Sequence, residues 1–177
     1  MKIIGEKING TRKTVKEAVL TRNVEFIQKL ASSQADAGST WIDVNAGTAT
    51  DREPEDLIWL VQTVQEVVDK PLCLDSANSA AIAAALPHVK KAPLINSISG
   101  ESARLTGVLP LAAQAQGGVI ALAMDDKGIP AETEGRLAIV HRLIGETRGA
   151  GIPDEQVYVD PLVMTIGASG DAGRVAL

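Results

Sequence analysis

Four times in this chain a short apolar run stops on an aspartate or asparagine, and that pattern narrows the folds open to it. The clearest copy is Leu72-Cys73-Leu74-Asp75, followed by Ser76-Ala77-Asn78, a turn that ends in a helix-capping residue. The others are Trp41-Ile42-Asp43-Val44-Asn45, Leu94-Ile95-Asn96-Ser97 and Val157-Tyr158-Val159-Asp160-Pro161. A weaker echo runs from Val119 to Asp125, where the acid opens an Asp-Asp-Lys-Gly turn. Short continuous apolar runs suit parallel strands covered on both faces. In parallel α/β folds the ligand site lies at the carboxyl ends of the strands. Several Asp and Asn side chains are therefore aimed at one place.

Helical periodicity fills the intervals. The spacing predicts a first strand over Ile3–Ile8, a polar Asn9–Arg12 loop, and a helix over Asn23–Ala37 stopped by Gly38. Pro54 opens a helix reaching about Asp69, with Leu57, Val61, Val64 and Val68 on one side. A short helix follows from Asn78 or Ser79 to Leu86, stopped by Pro87. A long loop is expected over Gly100–Gly107, then an Ala-rich helix opened by Pro110. A helix over Thr133–Arg148 presents Leu137, Val140, Leu143 and Ile144 inward, and Gly167–Gly170 is a loop.

Strand ends at 43, 75, 96, 125 and 160 match βα units of about thirty residues. With the first strand they make six. An open dinucleotide-binding sheet needs a Gly-rich turn after its first strand, and Asn9-Gly10-Thr11-Arg12 has a single glycine. Polar residues at nearly every strand end favour a (β/α)₈ TIM barrel instead. A barrel usually takes about 250 residues and eight strands. The expectation is one α/β barrel domain over residues 1–177, with its last two βα units lying beyond the sequence.

Bulk properties remove other classes. At 45% apolar residues the composition is globular, and nothing approaches a membrane span of about 18 apolar residues. Charges at Lys2 and Glu6 come too early for a signal peptide, so a cytoplasmic protein is expected. One cysteine excludes a disulfide framework or thiolate metal cluster within one chain, and no bound metal is expected. Net charge −5 with two Trp, one Tyr and one Phe argues against a nucleic-acid partner.

Five motifs then stand in order: Gly5-Glu6-Lys7-Ile8-Asn9, Leu74-Asp75-Ser76-x-Asn78, Asn96-Ser97-Ile98-Ser99, Ala123-Met124-Asp125-x-Lys127-Gly128 and Asp160-Pro161. Together they resemble the pterin-binding barrel family. Its members include dihydropteroate synthase, the folate domain of cobalamin-dependent methionine synthase, and the methyltetrahydrofolate:corrinoid/iron-sulfur protein methyltransferases, which the chain resembles most. The resemblance implies that Asp75, Asn96 and Asp160 hydrogen-bond the pterin and that Glu6 lines the same pocket. It implies methyltetrahydrofolate as substrate and a Co(I) corrinoid on a corrinoid/iron-sulfur protein partner as acceptor. That partner would dock on the face carrying Asn9, Gly100–Gly107 and Gly167–Gly170, with the protein a homodimer. The family's proton-delivering asparagine falls beyond Leu177, so no catalytic residue is assigned.

The residues agree independently. A pterin edge sets a ring N–H beside an amino group, which one carboxylate can accept together, while an amide both donates and accepts. Two other readings stay open: a dihydropteroate synthase-like enzyme, and a non-catalytic open-sheet corrinoid- or nucleotide-binding module. The first needs a basic anion site where these strand ends are acidic or amide. The second carries an Asp-x-His-x-x-Gly signature that neither His88 nor His141 belongs to. Asp43, followed by Asn45 and Gly47, fits a local turn as well as a site. Asp125 and Asp126 fit a tight turn, Glu101 and Arg104 a solvated loop, and Cys73 a small core filler.

Overall fold

The computed structural model describes residues 1–163 and 172–176, in two compact units, Met1–Asn96 and Ser97–Leu177. In the first unit β1 (Ile4–Asn9), β2 (Trp41–Asn45), β3 (Leu72–Asp75) and β4 (Leu94–Gly100) pair in chain order, all parallel. The chain of β4 continues past Asn96 into the second unit. A doubly wound sheet reverses direction and sets a later strand beside the first. Here each strand joins its predecessor, which is barrel connectivity.

Register explains which residues face the helices. Ile42 lies level with Leu72, and Val44, Leu74 and Ile95 lie level one step on. All five are buried. They lie on the side covered by α2 (Val24–Asp36), α3 (Glu53–Gln65) and α4 (Ser79–Ala85). Each such side chain contributes roughly 1.5–3 kcal/mol of burial. The opposite face carries Asp43, Cys73 and Leu94 in one row and Asp75 beside Asn96 in the next.

Strand β1 fits this frame through a bulge. Gly5 pairs with Ile42 and Ile8 with Val44, so one extra residue enters between them. Gln34 from α2 fills the gap, accepting from the Lys7 N–H at 2.6 Å. A Cβ on Gly5 would stand 2.7 Å from Ser39 Oγ and 2.9 Å from Gln34 Oε1, so a larger residue would have to displace these side-chain ends.

Some elements differ from the sequence reading. A further helix, α1 (Lys13–Leu20), precedes α2 and buries only Val15, Ala18 and Val19. Two turns with three small apolar contacts leave a faint periodic signal. Arg22, between the two helices at φ 55°, reaches the wholly buried Asp56 of α3 at 2.7 Å, and Arg52 reaches it at 3.0 Å. Helix α3 ends at Gln65 instead of near Asp69, and Pro87 continues α4 into a 3₁₀ turn instead of stopping it.

In the second unit β5 (Gly118–Asp125) and β6 (Val157–Asp160) pair in parallel. Residues 102–107, expected as loop, form α5 (Ser102–Gly107), which is followed by α6 (Leu109–Ala115). Asp126 makes that helix possible by accepting from the N–H and hydroxyl of Ser102, the latter at 2.8 Å. Helix α7 (Thr133–Gly149) buries Arg136, Ile139, Leu143 and Thr147, whereas Leu137 is 50% exposed. The rotation follows from Arg136, whose guanidinium donates to the carbonyls of Pro130, Pro161 and Leu162 at 2.9, 2.7 and 3.0 Å. A last helix, α8 (Ala172–Ala176), receives Thr133 through the Val175 carbonyl. The Gly167–Gly170 loop lies outside the described residues. Among the described residues no helix is long and apolar enough to cross a membrane.

Candidate functional site

The carboxyl ends of β1 to β3 gather polar side chains on the face turned away from the helices, and Asn96 joins them from within β4, which runs on to Gly100 instead of ending near Asn96. Asp75 and Asn96 are level neighbours, both half-buried. Asn45, at the end of β2, donates its amide N–H to Asp75 Oδ2 at 2.8 Å. This bond fixes which way the Asp75 carboxylate turns. Asp75 can hold that orientation because Ser76 does the local work of the turn. The Ser76 hydroxyl accepts from the Asn78 N–H at 2.9 Å and donates to Glu53 at 2.6 Å. Asn78 in turn caps α4 through the Ala80 N–H and donates to the Thr50 carbonyl.

The loops after β1 and β2 meet backbone to backbone. Gly10 N–H donates to the Asn45 carbonyl at 2.8 Å. A Cβ on Gly47, which lies at φ 59°, would stand 2.4 Å from the Gly10 carbonyl carbon. Two glycines therefore hold Asn9 and Asn45 at a common level.

Beneath Asp75 lies Asp43, 1% exposed, with neither carboxylate oxygen hydrogen-bonded. Its carboxyl is pushed up from 3.8 to about 7, by burial first and then by the negative charge of Asp75. The Cys73 thiol opposes this, Glu6 adds to it, and Asn96 opposes it weakly. Neither Cys73 nor Asn96 reaches hydrogen-bonding geometry with the Asp43 oxygens. Asn45 Oδ1 and Thr48 Oγ1 are likewise buried without partners. Native interiors leave few polar atoms so, and these four lie on three residues close in the chain, Asp43, Asn45 and Thr48. Cys73 fits its reading as core filler, since burial above all pushes its thiol well up and leaves it unreactive.

The second unit places Asp160 at the end of β6, half-buried, with Oδ1 accepting from the Leu162 N–H at 2.7 Å. Arg136 braces the next two carbonyls, so it sets the backbone that carries Asp160. Asp125 accepts from the Lys127 N–H at 2.8 Å, a local duty, and Asp126 caps α5 from 24 residues away. Glu101 accepts from Ser99 and lies 3.9 Å from Arg104.

Of the residues expected from the sequence, Glu6, Asp75 and Asn96 thus share one face of the first unit, and Asp160 ends its strand in the second. Sequence reasoning left Asp43 open between a local turn and a site, with Asn45 as part of that turn; both lie in β2 and form no local turn. It passed over Arg136, whose helical spacing gave no sign that an arginine would face inward. Among the described residues no group of three or more His, Cys, Asp or Glu is placed to hold a metal ion.

A carboxylate oriented by an amide, beside a second amide, is a surface for a flat heterocycle with adjacent N–H donors and a carbonyl. The E. limosum (Eubacterium limosum) methylcorrinoid:tetrahydrofolate methyltransferase is 38% identical over 168 residues, covering 94% of this chain and 62% of that protein. A methionine synthase of Mycobacterium tuberculosis is 25% identical over 179 residues, covering 97% of this chain and 15% of that protein. The chain therefore spans less than two thirds of the length of these relatives.

Two solved structures share the fold. A Yersinia pestis DHPS with a pterine-sulfa conjugate superposes with TM-score 0.66 at 20% identity, covering 90% of this chain and 58% of that one. The 7,8-dihydropteroate synthase of Vibrio fischeri gives TM-score 0.66 at 15% identity, covering 92% and 62%. The α/β architecture is thus of the TIM-barrel type. The profile of the family described as "Pterin binding enzyme" matches residues 5–174, which include Glu6, Asp75, Asn96 and Asp160, and the chain belongs to that family.

Proposed function

We propose that the protein is a methyltransferase acting between N5 of a reduced folate and a corrinoid carried by a partner protein. The observation that carries this reading is the Asp75–Asn96 pair, level on adjacent strands and oriented by Asn45. Asp75 would accept the ring N–H and amino group of the pterin, and Asn96 would meet its mixed carbonyl and ring-nitrogen edge. Asp160 would add a second acceptor and Glu6 would line the pocket. The 38% identical relative, whose name joins methylcorrinoid to tetrahydrofolate, supports this class of reaction.

The chemistry asks for negative charge. A methyl group leaves or reaches N5 most easily when that nitrogen carries positive charge, and Glu6 and Asp75 put two acids on one face. The corrinoid supplies the cobalt that takes or gives the methyl group. Everything else asked of this chain is to bind the pterin, orient it and exclude water. We assign methyltetrahydrofolate as the donor, a corrinoid/iron-sulfur protein as the partner, and a homodimeric, cytoplasmic protein as the working form. A dihydropteroate synthase would want a basic anion site, and the strand ends of the first unit carry acids and amides.

The test is to mix the protein with methyltetrahydrofolate and a reduced corrinoid and follow the corrinoid absorbance. The reading expects protein-dependent methyl transfer that is lost in Asp75→Ala. Absence of transfer to any corrinoid, with tight pterin binding retained, would instead favour a synthase.

A further inference from the structure

We propose that Asp43 stores a proton beneath the pterin site, so that binding the ligand at Asp75 draws a proton onto Asp43. The inference rests on the pterin reading given above. Its ground is geometric. Both Asp43 oxygens are buried and without hydrogen-bond partners, one row below Asp75 on the same face. Asn45 spends its amide N–H on Asp75 and leaves its Oδ1 buried and unpartnered. A neutral Asp43 has an O–H to donate, and Asn45 Oδ1 is an acceptor without a donor on the same strand and face. The titratable groups acting on Asp43 are Asp75 and Cys73 of β3 and Glu6 of β1, with the Asn96 amide on β4.

Asp75 already repels charge on Asp43 from the next row of the same face, and that repulsion grows once a ligand covers them and strips their water. The pterin donors require the negative charge on Asp75. Asp43 therefore takes up one proton from solvent, becoming a neutral acid, and the Asn45 amide ties the two carboxyls together. Asp43 is a positioning residue here, because it acts through Asp75 and Asn45.

The experiment is calorimetric titration of methyltetrahydrofolate into the full protein, repeated in buffers of different ionisation enthalpy. Wild type should take up a fraction of a proton at pH 7, rising toward one at pH 8. Its affinity should weaken about tenfold from pH 7 to pH 8.5, while Asp43→Asn binds with no proton uptake and a flat profile. Infrared difference spectra of the ligand-free protein give a second readout that does not depend on the pterin. A protonated-carboxyl band titrating near neutrality should vanish in Asp43→Asn. Equal uptake by wild type and Asp43→Asn would overturn the proposal, as would absence of that band. Failure of wild type to bind the pterin, with the band present, would sink the pterin reading and the coupling with it while leaving the buried acid in place.

Discussion

The strand-end acids of the two units share a sequence design and come to opposite ends. In the second unit each is taken up by backbone N–H groups: Asp125 holds the Lys127 N–H and Asp160 the Leu162 N–H, each in its own turn, while Asp126 caps α5 from 24 residues away. In the first unit Ser76 takes over the turn after β3, and Asp75 is oriented across the sheet by Asn45. Asp43 is buried with no turn at all. The difference lies in the residue that follows the acid. Where a hydroxyl can close the turn, the carboxylate is released for other work; where the turn is Asp-Lys-Gly or Pro-Leu, it is consumed. Chemistry at a strand end is decided by who satisfies the next N–H.

That contrast can be broken most forcefully at Asp43. Its folded-state value is raised, so between 3.8 and about 7 the native protein binds more protons than the unfolded chain. Stability contributed by the neutral acid is complete at low pH and lost as pH rises through that window. Asp43→Asn has no proton to lose. Above pH 7 the variant should be the more stable, by up to roughly 4 kcal/mol, and below pH 4 the two should converge. Chemical denaturation of both proteins at pH 4 and pH 8 checks this; a wild type that is the more stable at pH 8 would contradict it.

Asp160 sharpens the comparison, being the one acid of the second unit that we propose for pterin binding while it also serves a turn. Asp160→Asn keeps the shape but sets a donor against the pterin donors. The expected loss is roughly 2–4 kcal/mol of binding, about 30- to 1000-fold in dissociation constant. Calorimetry with methyltetrahydrofolate reads it, and circular dichroism confirms the fold. If the variant melts earlier yet binds within threefold of wild type, Asp160 belongs with Asp125 as a turn residue. The smallest effect is expected at Asp126. Asp126→Ala removes the acceptor at the start of α5 and should cost about 1 kcal/mol of stability, visible as a lower melting temperature, with pterin binding unchanged.

Much of this was legible in the chain itself. Apolar runs ending in Asp or Asn located β2, β3, β4 and β6, and the missing Gly-rich turn after β1 pointed to a barrel. The Asp125-Asp126-Lys127-Gly128 turn closes as its residues dictate, with Gly128 at φ 98°. What could not be read depended on distant partners. Ser102–Gly107 becomes a helix through an acid 24 residues away. Leu137 faces water because Arg136 finds three carbonyls, two of them beyond β6. Asp43 read equally as a turn residue or a site residue because Asn45 and Gly47 follow it. Gly47 instead packs against Gly10 of another loop, and Asn45 serves Asp75. Local patterns name the residues that can turn; they do not say which will be excused.

Asp75 bears the most weight in this account, and one measurement addresses it. Methyltetrahydrofolate is titrated in parallel into wild type, Asp75→Asn and Asp125→Asn, each checked for a cooperative melt. The account predicts a loss of about 100-fold in affinity for Asp75→Asn, near 3 kcal/mol, and no change for Asp125→Asn. Equal affinity in all three folded proteins would remove the strand ends of the first unit from the pterin site.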